Sequence, residues 1–303
     1  MARTTRTEGL DAATAQLTRV ALVVHPTRPV TGALETLARW AEEEGLDVVQ
    51  IQGIGGWSRE IAPRGELEPG DLVLALGGDG TVLSALRAAA PVDAPVLGVA
   101  CGSLGALTAV DADRLHDALE RVRRGDWTAL RLPAIAIHPP SGHDEWAVND
   151  FVVVRRGAGQ ALVDLYLDDE LYVRLAGDGL VVASPLGSSA YSMASGGPLI
   201  APGALAFVCT PLAMHGGNAP PLVVPATSTV RVVVHPSFAG FDIEIDGHRY
   251  PLKSLDYRLS LYEGKATLVT FGKLSIGLSG LRRRRLVTDS PRVLARDDRT
   301  DRG

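Results

Sequence analysis

The chain has 303 residues, 46% of them apolar and 21% charged, which is enough to bury one large core or two ordinary ones. A formal net charge of −5 leaves no global positive field, so bulk attraction to nucleic acid is excluded and any phosphate must be held locally. Two cysteines, Cys101 and Cys209, are too few for a disulfide framework or a zinc site and read as small core residues of a reduced, cytoplasmic protein.

Residues 1–18 mix arginine with Glu8 and Asp11 and lack an apolar centre, so they are expected to form a flexible tail rather than a secretion signal. From Arg19 the pattern alternates. "VALVVHP" is a β-branched run, and "TGALETLARWAEEEG" carries Leu34, Leu37, Ala38 and Ala41 at helical spacing up to Gly45. "LDVVQI", "DLVLALGG" and "APVLGVA" are short apolar runs of the kind buried on both faces of a parallel sheet, separated by the helical "TVLSALRAAA" and followed by "DADRLHDALERVRRG". After Asp126 the pattern changes to strands, among them "AVNDFVVVRR", "LVVASP", "YRLSLY" and "KATLVTFG"; in "FDIEIDGHRY", Ile243 and Ile245 alternate with Asp242, Glu244 and Asp246. The expected architecture is α/β plus β: a Rossmann-like parallel-sheet domain over residues 19–126 and a β-rich domain over 127–281, ending in a charged tail, 282–303. The apolar tract Leu199–Met214 is broken by Pro202, Gly203 and Pro211, and no stretch offers the ~20 apolar residues that a membrane span needs.

Chemistry concentrates in three places. In "LGGDGTVLSALR" a strand runs into Gly77, Gly78, Asp79, Gly80 and Thr81 before a helix starts, and the glycines expose amide groups at a helix mouth, where the dipole favours anions. Glycine is common in βα turns, so these residues alone do not decide between a phosphate cradle and a plain turn. Asp79 does more, because a carboxylate beside phosphates serves a metal, accepts a hydroxyl proton or binds ribose. No P-loop is present, since the first lysine of the chain is Lys253, and the turn also fails the G-x-G-x-x-G pattern. The second place is Gly177–Gly203, where Gly187, Ser188 and Ser189 offer hydroxyls and amides beside Ala190 and Tyr191. The third is Asn149-Asp150, two polar residues opening a buried strand, which equally suit an Asx turn.

Taken together and in this order, the three stretches resemble the NAD kinase family, within the wider diacylglycerol and sphingosine kinase-like superfamily. G-G-D-G-T is intact at 77–81; "GVACGSLGAL" at 98–107 is similar to G-V-N-x-G-x-L-G-F-L; Asn149-Asp150 corresponds to N-E; the stretch 178–198 resembles D-G-x-x-x-x-T-P-T-G-S-T-A-Y-S-x-x-A-G-G-P, and Ile245-Asp246-Gly247 the late I-D-G. The resemblance implies a kinase with its active site in a cleft between an α/β domain and a β-sandwich-like domain. Asp79 would act on the adenosine-ribose 2′-hydroxyl of NAD, as base or by orienting it, while Gly77, Gly78, Gly80 and Thr81 meet the triphosphate of ATP and its Mg²⁺. Asn149 and Asp150 would hold adenine and ribose groups, and Asp178, Gly187, Ser188, Ser189, Ala190 and Tyr191 would line the dinucleotide site with Asp246 near it. The resemblance also implies a homo-oligomer, a dimer or tetramer, with ATP or polyphosphate as donor, while the charge and the broken apolar tracts lead us to expect neither a nucleic-acid nor a membrane partner.

Departures from the pattern fall on the acceptor side: Ala100 and Ala106 replace Asn and Phe, Asp150 is one methylene shorter than Glu, and Leu186 replaces a hydroxyl residue. They keep open a same-fold kinase acting on another nucleotide, nucleoside or polyol, and, in a different class, a non-catalytic nucleotide sensor that would have no need of Asp79. His215 reads as a packed or capping residue, the seven histidines show no metal-ligand spacing, and Arg282–Arg285 is a run too short to signal nucleic acid.

Overall fold

The fold is taken from a computed structural model, which describes residues 17–53, 59–102, 105–201, 203–237, 240–251, 254–272, 281–282 and 286–291. Residues 1–16 of the expected tail, and 283–285 and 292–303 of the charged C-terminal segment, lie outside the described residues.

Four apolar strands, β1 (Arg19–Val24), β2 (Asp47–Gln50), β3 (Leu72–Gly77) and β4 (Val96–Ala100), run parallel in the spatial order β2-β1-β3-β4. The continuous hydrophobicity of β1, β3 and β4 has the expected cause, for both faces of the sheet are covered. α1 (Thr31–Glu44) and α3 (Leu115–Arg123) pack on one face through Leu37, Trp40, Leu115 and Leu119, while α2 (Asp79–Ala89) packs on the other through Val82, Leu83 and Leu86. Helix α1 stops at Gly45, whose φ of 67° lets its amide return to the carbonyls of Ala41 and Glu42. The short β5 (Val110–Asp111) extends the sheet beside β4. Because β2 lies on one side of β1 and β3 on the other, the strand order reverses between β1 and β3, and in open α/β sheets ligands bind outside the carboxyl ends of the strands at that point.

The remaining strands are antiparallel, apart from one junction. β6 (Thr128–His138), β7 (Glu145–Ala147), β9 (Ala161–Leu167), β10 (Glu170–Gly177) and β14 (Val230–His235) continue the first sheet. β8 (Asp150–Arg155), β11 (Gly179–Ala183), β12 (Ala206–Leu212), β13 (Leu222–Pro225), β15 (Phe241–Ile245) and β16 (His248–Tyr250) form a second sheet in the order β13-β12-β11-β8-β15-β16. The two sheets enclose an apolar core in which the rings of Phe151 and Tyr257 lie 5.1 Å apart. The short helix α4 (Tyr191–Ala194) follows a 3₁₀ turn at Gly187–Ser189.

Two differences from the sequence reading have physical causes. "YRLSLY" and "KATLVTFG" are one strand, β17 (Asp256–Thr270), bent where its pairing with β6 shifts between Tyr262 and Ala266, at Gly264 with φ of 74°. Its first half pairs antiparallel with β14, and Leu268 in its second half pairs parallel with Val96 of β4, so one strand joins both halves of the first sheet. β12 lies in the tract that the sequence reading took as broken by prolines. β13 pairs only with Ala206–Cys209, so at Pro211 only β11 remains as a partner, and an edge position tolerates the missing N–H.

Candidate active site

The carboxyl ends of β1, β3 and β4 meet at the G-G-D-G-T turn. Gly77 must be glycine, since a Cβ there would lie 2.1 Å from Thr81 Oγ1 and 3.1 Å from His25 Cβ. Gly78 precedes the first turn of α2 with extended backbone (φ −121°, ψ −167°). The buried Thr81 turns its hydroxyl towards Gly77, whereas a Cβ on Gly80 would meet open space. The carboxylate of Asp79 is fixed by two amides from beyond β4: Ala106 donates to Oδ2 at 2.9 Å and Leu107 to Oδ1 at 2.8 Å. Gly105 makes room for it, because a Cβ at that position would lie 2.0 Å from Asp79 Oδ1. Two charge-assisted bonds from successive amides, one to each oxygen, give the carboxylate a single orientation.

Sequence reasoning missed the cation in this place. Arg28, in the loop after β1, brings its guanidinium within 3.1 Å of where a Cβ on Gly78 would stand and 3.2 Å of the corresponding point on Gly102, whose φ is 128°. Its Nη1 donates to Cys101 O at 3.3 Å, and Arg59 braces the loop by donating to Arg28 O at 3.1 Å. His25 Nδ1 accepts the amides of Thr27 and Arg28, which requires that nitrogen to be unprotonated. Burial lowers the imidazole pKa, and the charges of Arg28 and Arg59 add to the effect. The available signal was a basic residue in the first βα loop, "HPTRP", at the strand-order reversal. A guanidinium facing a glycine-rich helix mouth is chemistry suited to phosphate.

The second half of the site is built around Asn149 and Asp150. Ser184 Oγ donates to Val148 O at 2.6 Å, the Ser184 amide donates to Asn149 O at 2.9 Å, and the Gly187 amide donates to Ser184 Oγ at 3.1 Å. A Cβ on Gly187 would lie 2.0 Å from Asn149 O, so the Gly/Ser turn rests directly on this segment. Asp246 secures it from the other side. It occupies, with Gly247, a two-residue hairpin turn between β15 and β16 in which both φ angles are positive, 51° and 76°, as an Asp-Gly pair favours. Its carboxylate accepts from Val148 N at 3.0 Å, Asn149 N at 2.7 Å and Asp150 N at 3.4 Å. The side chain of Asp246 is therefore engaged in holding this segment.

The residues named from the sequence divide accordingly. Ser188 is fully buried, its hydroxyl donating to Pro185 O at 2.7 Å and accepting from Ile200 N at 3.0 Å, so it fixes the turn. Ser189 Oγ donates to Leu186 O at 3.0 Å, and Ala190 leads into Tyr191, which is 40% exposed. Asp178 pairs with Arg155. The phenol of Tyr191 has a raised pKa, from burial first and then from the charges of Glu244, Asp178 and Asp150, which gathers these four groups round one region. The carboxyl of Asp150, only 5% exposed, is pushed up to about 7 by burial, with Asp246 and Glu244 adding repulsion. Among the described residues neither that carboxyl nor the Asn149 amide group makes a side-chain hydrogen bond. The two halves touch through Leu186, which packs against the cluster that holds Val82, Leu83, Leu107 and Val148.

The sequence of the chain matches two family models, the ATP-NAD kinase N-terminal domain over residues 62–127 and the ATP-NAD kinase C-terminal domain over 148–271. Among curated proteins it is 36% identical over 253 residues to an NAD kinase of Koribacter versatilis, covering 78% of this chain and 87% of that protein. It is 38% identical over 192 residues to one of Heliobacterium modesticaldum, covering 61% and 67%. Its fold is similar to that of yeast NADH kinase, solved with NADH (TM-score 0.73, 20% identity, 90% of this chain and 89% of that one), and to an Archaeoglobus fulgidus NAD kinase solved with ATP (TM-score 0.70, 22% identity, 89% and 100%). By its two matched domains and by the identity it shares with these relatives over most of its length, the chain belongs to the NAD kinase family.

Proposed function

We propose that the chain transfers the γ-phosphoryl group of ATP to the adenosine-ribose 2′-hydroxyl of NAD, giving NADP, and that the turn from Gly77 to Thr81 is where the two substrates meet. The observation that carries the reading is the fixed carboxylate of Asp79 in a turn whose Gly78 faces the guanidinium of Arg28, at the strand-order reversal. Phosphoryl transfer asks mainly for alignment and charge neutralisation. The Gly78–Gly80 amides and Arg28 hold phosphate oxygens at the helix mouth, and Asp79 orients the attacking hydroxyl and takes its proton. Asn149, Asp150, Asp178 and Tyr191 hold the acceptor, while Ser188 and Asp246 keep their segments in place. Division at Asp126 assigns the donor to residues 19–126 and the acceptor mainly to 127–281, in keeping with the change there from parallel to antiparallel pairing.

Among the described residues no three acidic, histidine or cysteine side chains gather as a metal cage. Mg²⁺ carried on ATP would need only one or two carboxylates beside phosphate and water oxygens; Asp79 would be the carboxylate offered to it, and the ion would supply charge neutralisation. A cytoplasmic homo-oligomer completes the reading, and among the described residues no helix is long and apolar enough to cross a membrane. The direct test is purified protein with NAD, ATP and Mg²⁺, followed by NADP appearance, with polyphosphate as alternative donor and a panel of nucleosides and polyols as alternative acceptors. NADP is the expected product; turnover of a panel compound in its absence would instead favour an altered acceptor, as Ala100 and Ala106 suggest.

Asp150 provides a pH test. Its folded carboxyl titrates near 7, against about 3.9 for an unfolded aspartate, so the folded state keeps the proton over the interval in which the unfolded state has lost it. Stability from this group is complete below about pH 4 and declines as pH rises to about 7. Asp150→Asn removes the dependence. The difference in Tm between Asp150→Asn and wild type is expected to grow in favour of the variant from pH 4 to 7 and then level off, and a difference constant across that range would remove Asp150 as the source.

A further inference from the structure

Helix α2 begins at Asp79 and ends beside the acceptor half of the molecule. Eight residues along it, about 12 Å at the helical rise, stands Arg87, a cation with 15% of its side chain exposed. Its guanidinium donates to Trp146 O, meets Glu145 Oε2 at 3.2 Å, lies 5.1 Å from the centre of the Trp146 ring, and stands 3.8 Å from the fully buried carboxylate of Asp246. That same carboxylate receives the amides of Val148, Asn149 and Asp150. One unbroken set of polar contacts thus runs from the helix carrying Asp79, through Arg87 and Asp246, to the main chain of Asn149 and Asp150.

We infer that Arg87 is a positioning residue that sets the acceptor-holding segment, Val148–Asp150, relative to the helix carrying Asp79. Burial raises the carboxyl pKa of Asp246, and the three amides together with Arg87 work against that rise, so Arg87 favours the charged form that binds the amides most strongly. A planar fork does this better than a point charge, because Arg87 bonds Trp146 O and Glu145 as well, and so fixes where the segment lies and not only its charge. Among the described residues the polar contacts of Arg87 go to Glu145, Trp146 and Asp246 and not to the G-G-D-G-T turn or Arg28, so its replacement is expected to leave donor binding largely unchanged. The inference rests on the functional reading above for its kinetic part only.

The test is Arg87→Met in the full-length chain. Expected are a rise of about tenfold in KM for NAD, with KM for ATP changed by less than about twofold, and faster amide hydrogen exchange at Val148, Asn149 and Asp150 than in wild type. Arg87→Lys, which keeps the charge and loses the fork, should fall between. Should Arg87→Met leave a lone buried carboxylate and fold poorly, Arg87→Met with Asp246→Asn removes both charges. In the Asp246→Asn background the replacement of Arg87 should then have a smaller effect on NAD than in wild type, because the coupling passes through Asp246. Unchanged exchange at residues 148–150, equal loss of affinity for both substrates, or strictly additive effects would overturn the inference. A wild-type chain that makes no NADP would overturn the functional reading while the exchange comparison still judged Arg87.

Discussion

Asp79→Asn is expected to lower the turnover of NADP formation by about 10³-fold while NAD and ATP still bind. The substitution keeps the size of the side chain and removes the charge that draws a proton from the ribose hydroxyl. It also disturbs the support of that side chain, because the carboxylate has an oxygen for each of the two amides, Ala106 N and Leu107 N, whereas an asparagine presents one oxygen and one NH₂ group. One amide then loses its partner at a cost of about 1–3 kcal/mol, so a modest fall in Tm accompanies the kinetic loss. Initial rates with NAD and ATP, set beside thermal shifts produced by each nucleotide, separate the two effects. A variant retaining more than about a tenth of wild-type turnover would show that another group takes the proton, and unchanged biological activity with intact binding would favour a sensor.

The largest structural effect is expected at Gly179, which follows Asp178 at the start of β11. Its φ is 146°, a conformation that L residues rarely adopt, and a Cβ there would lie 1.8 Å from Val153 O in the neighbouring strand. Gly179→Ala combines backbone strain with a collision against main chain that cannot step aside, so it should destabilise the protein by about 4 kcal/mol or more. Gly45→Ala is the control: φ is 67°, but the added methyl meets nothing within 4 Å, and a loss of about 1 kcal/mol is expected. Urea denaturation of the three proteins checks the pair, and comparable losses at both positions would mean that the close approach of β11 to β8 is not what demands glycine.

Patterns local in sequence could be read from sequence. The alternation of strands and helices up to Gly125 follows from hydrophobic period, and the glycine-rich turn at the mouth of α2 follows from glycines next to a carboxylate. What could not be read depends on contacts between distant residues. Asp79 is oriented by amides 27 and 28 positions away, and Asp246 reaches back 98 positions to Val148. Ser188 reads as a ligand hydroxyl because its sequence neighbours are small and polar, and its bond from the amide of Ile200, twelve residues on, is visible only in the fold. Arg28 was overlooked for a similar reason, since its relation to Gly78 and Gly102 exists only once β1, β3 and β4 lie side by side.

The long bent strand β17 has a consequence for how the enzyme is made. Val96 of β4 takes its parallel partner from Leu268, a residue synthesised about 170 positions later, and Thr128–Leu132 in β6 likewise wait for Ala266–Thr270. During translation the parallel half of the sheet is therefore left with β4 incompletely paired until nearly the whole chain has left the ribosome. Completion of that pairing comes only after Asn149, Asp150, Asp178 and Tyr191 have been made, so the strand that joins both halves of the first sheet is among the last to find its place.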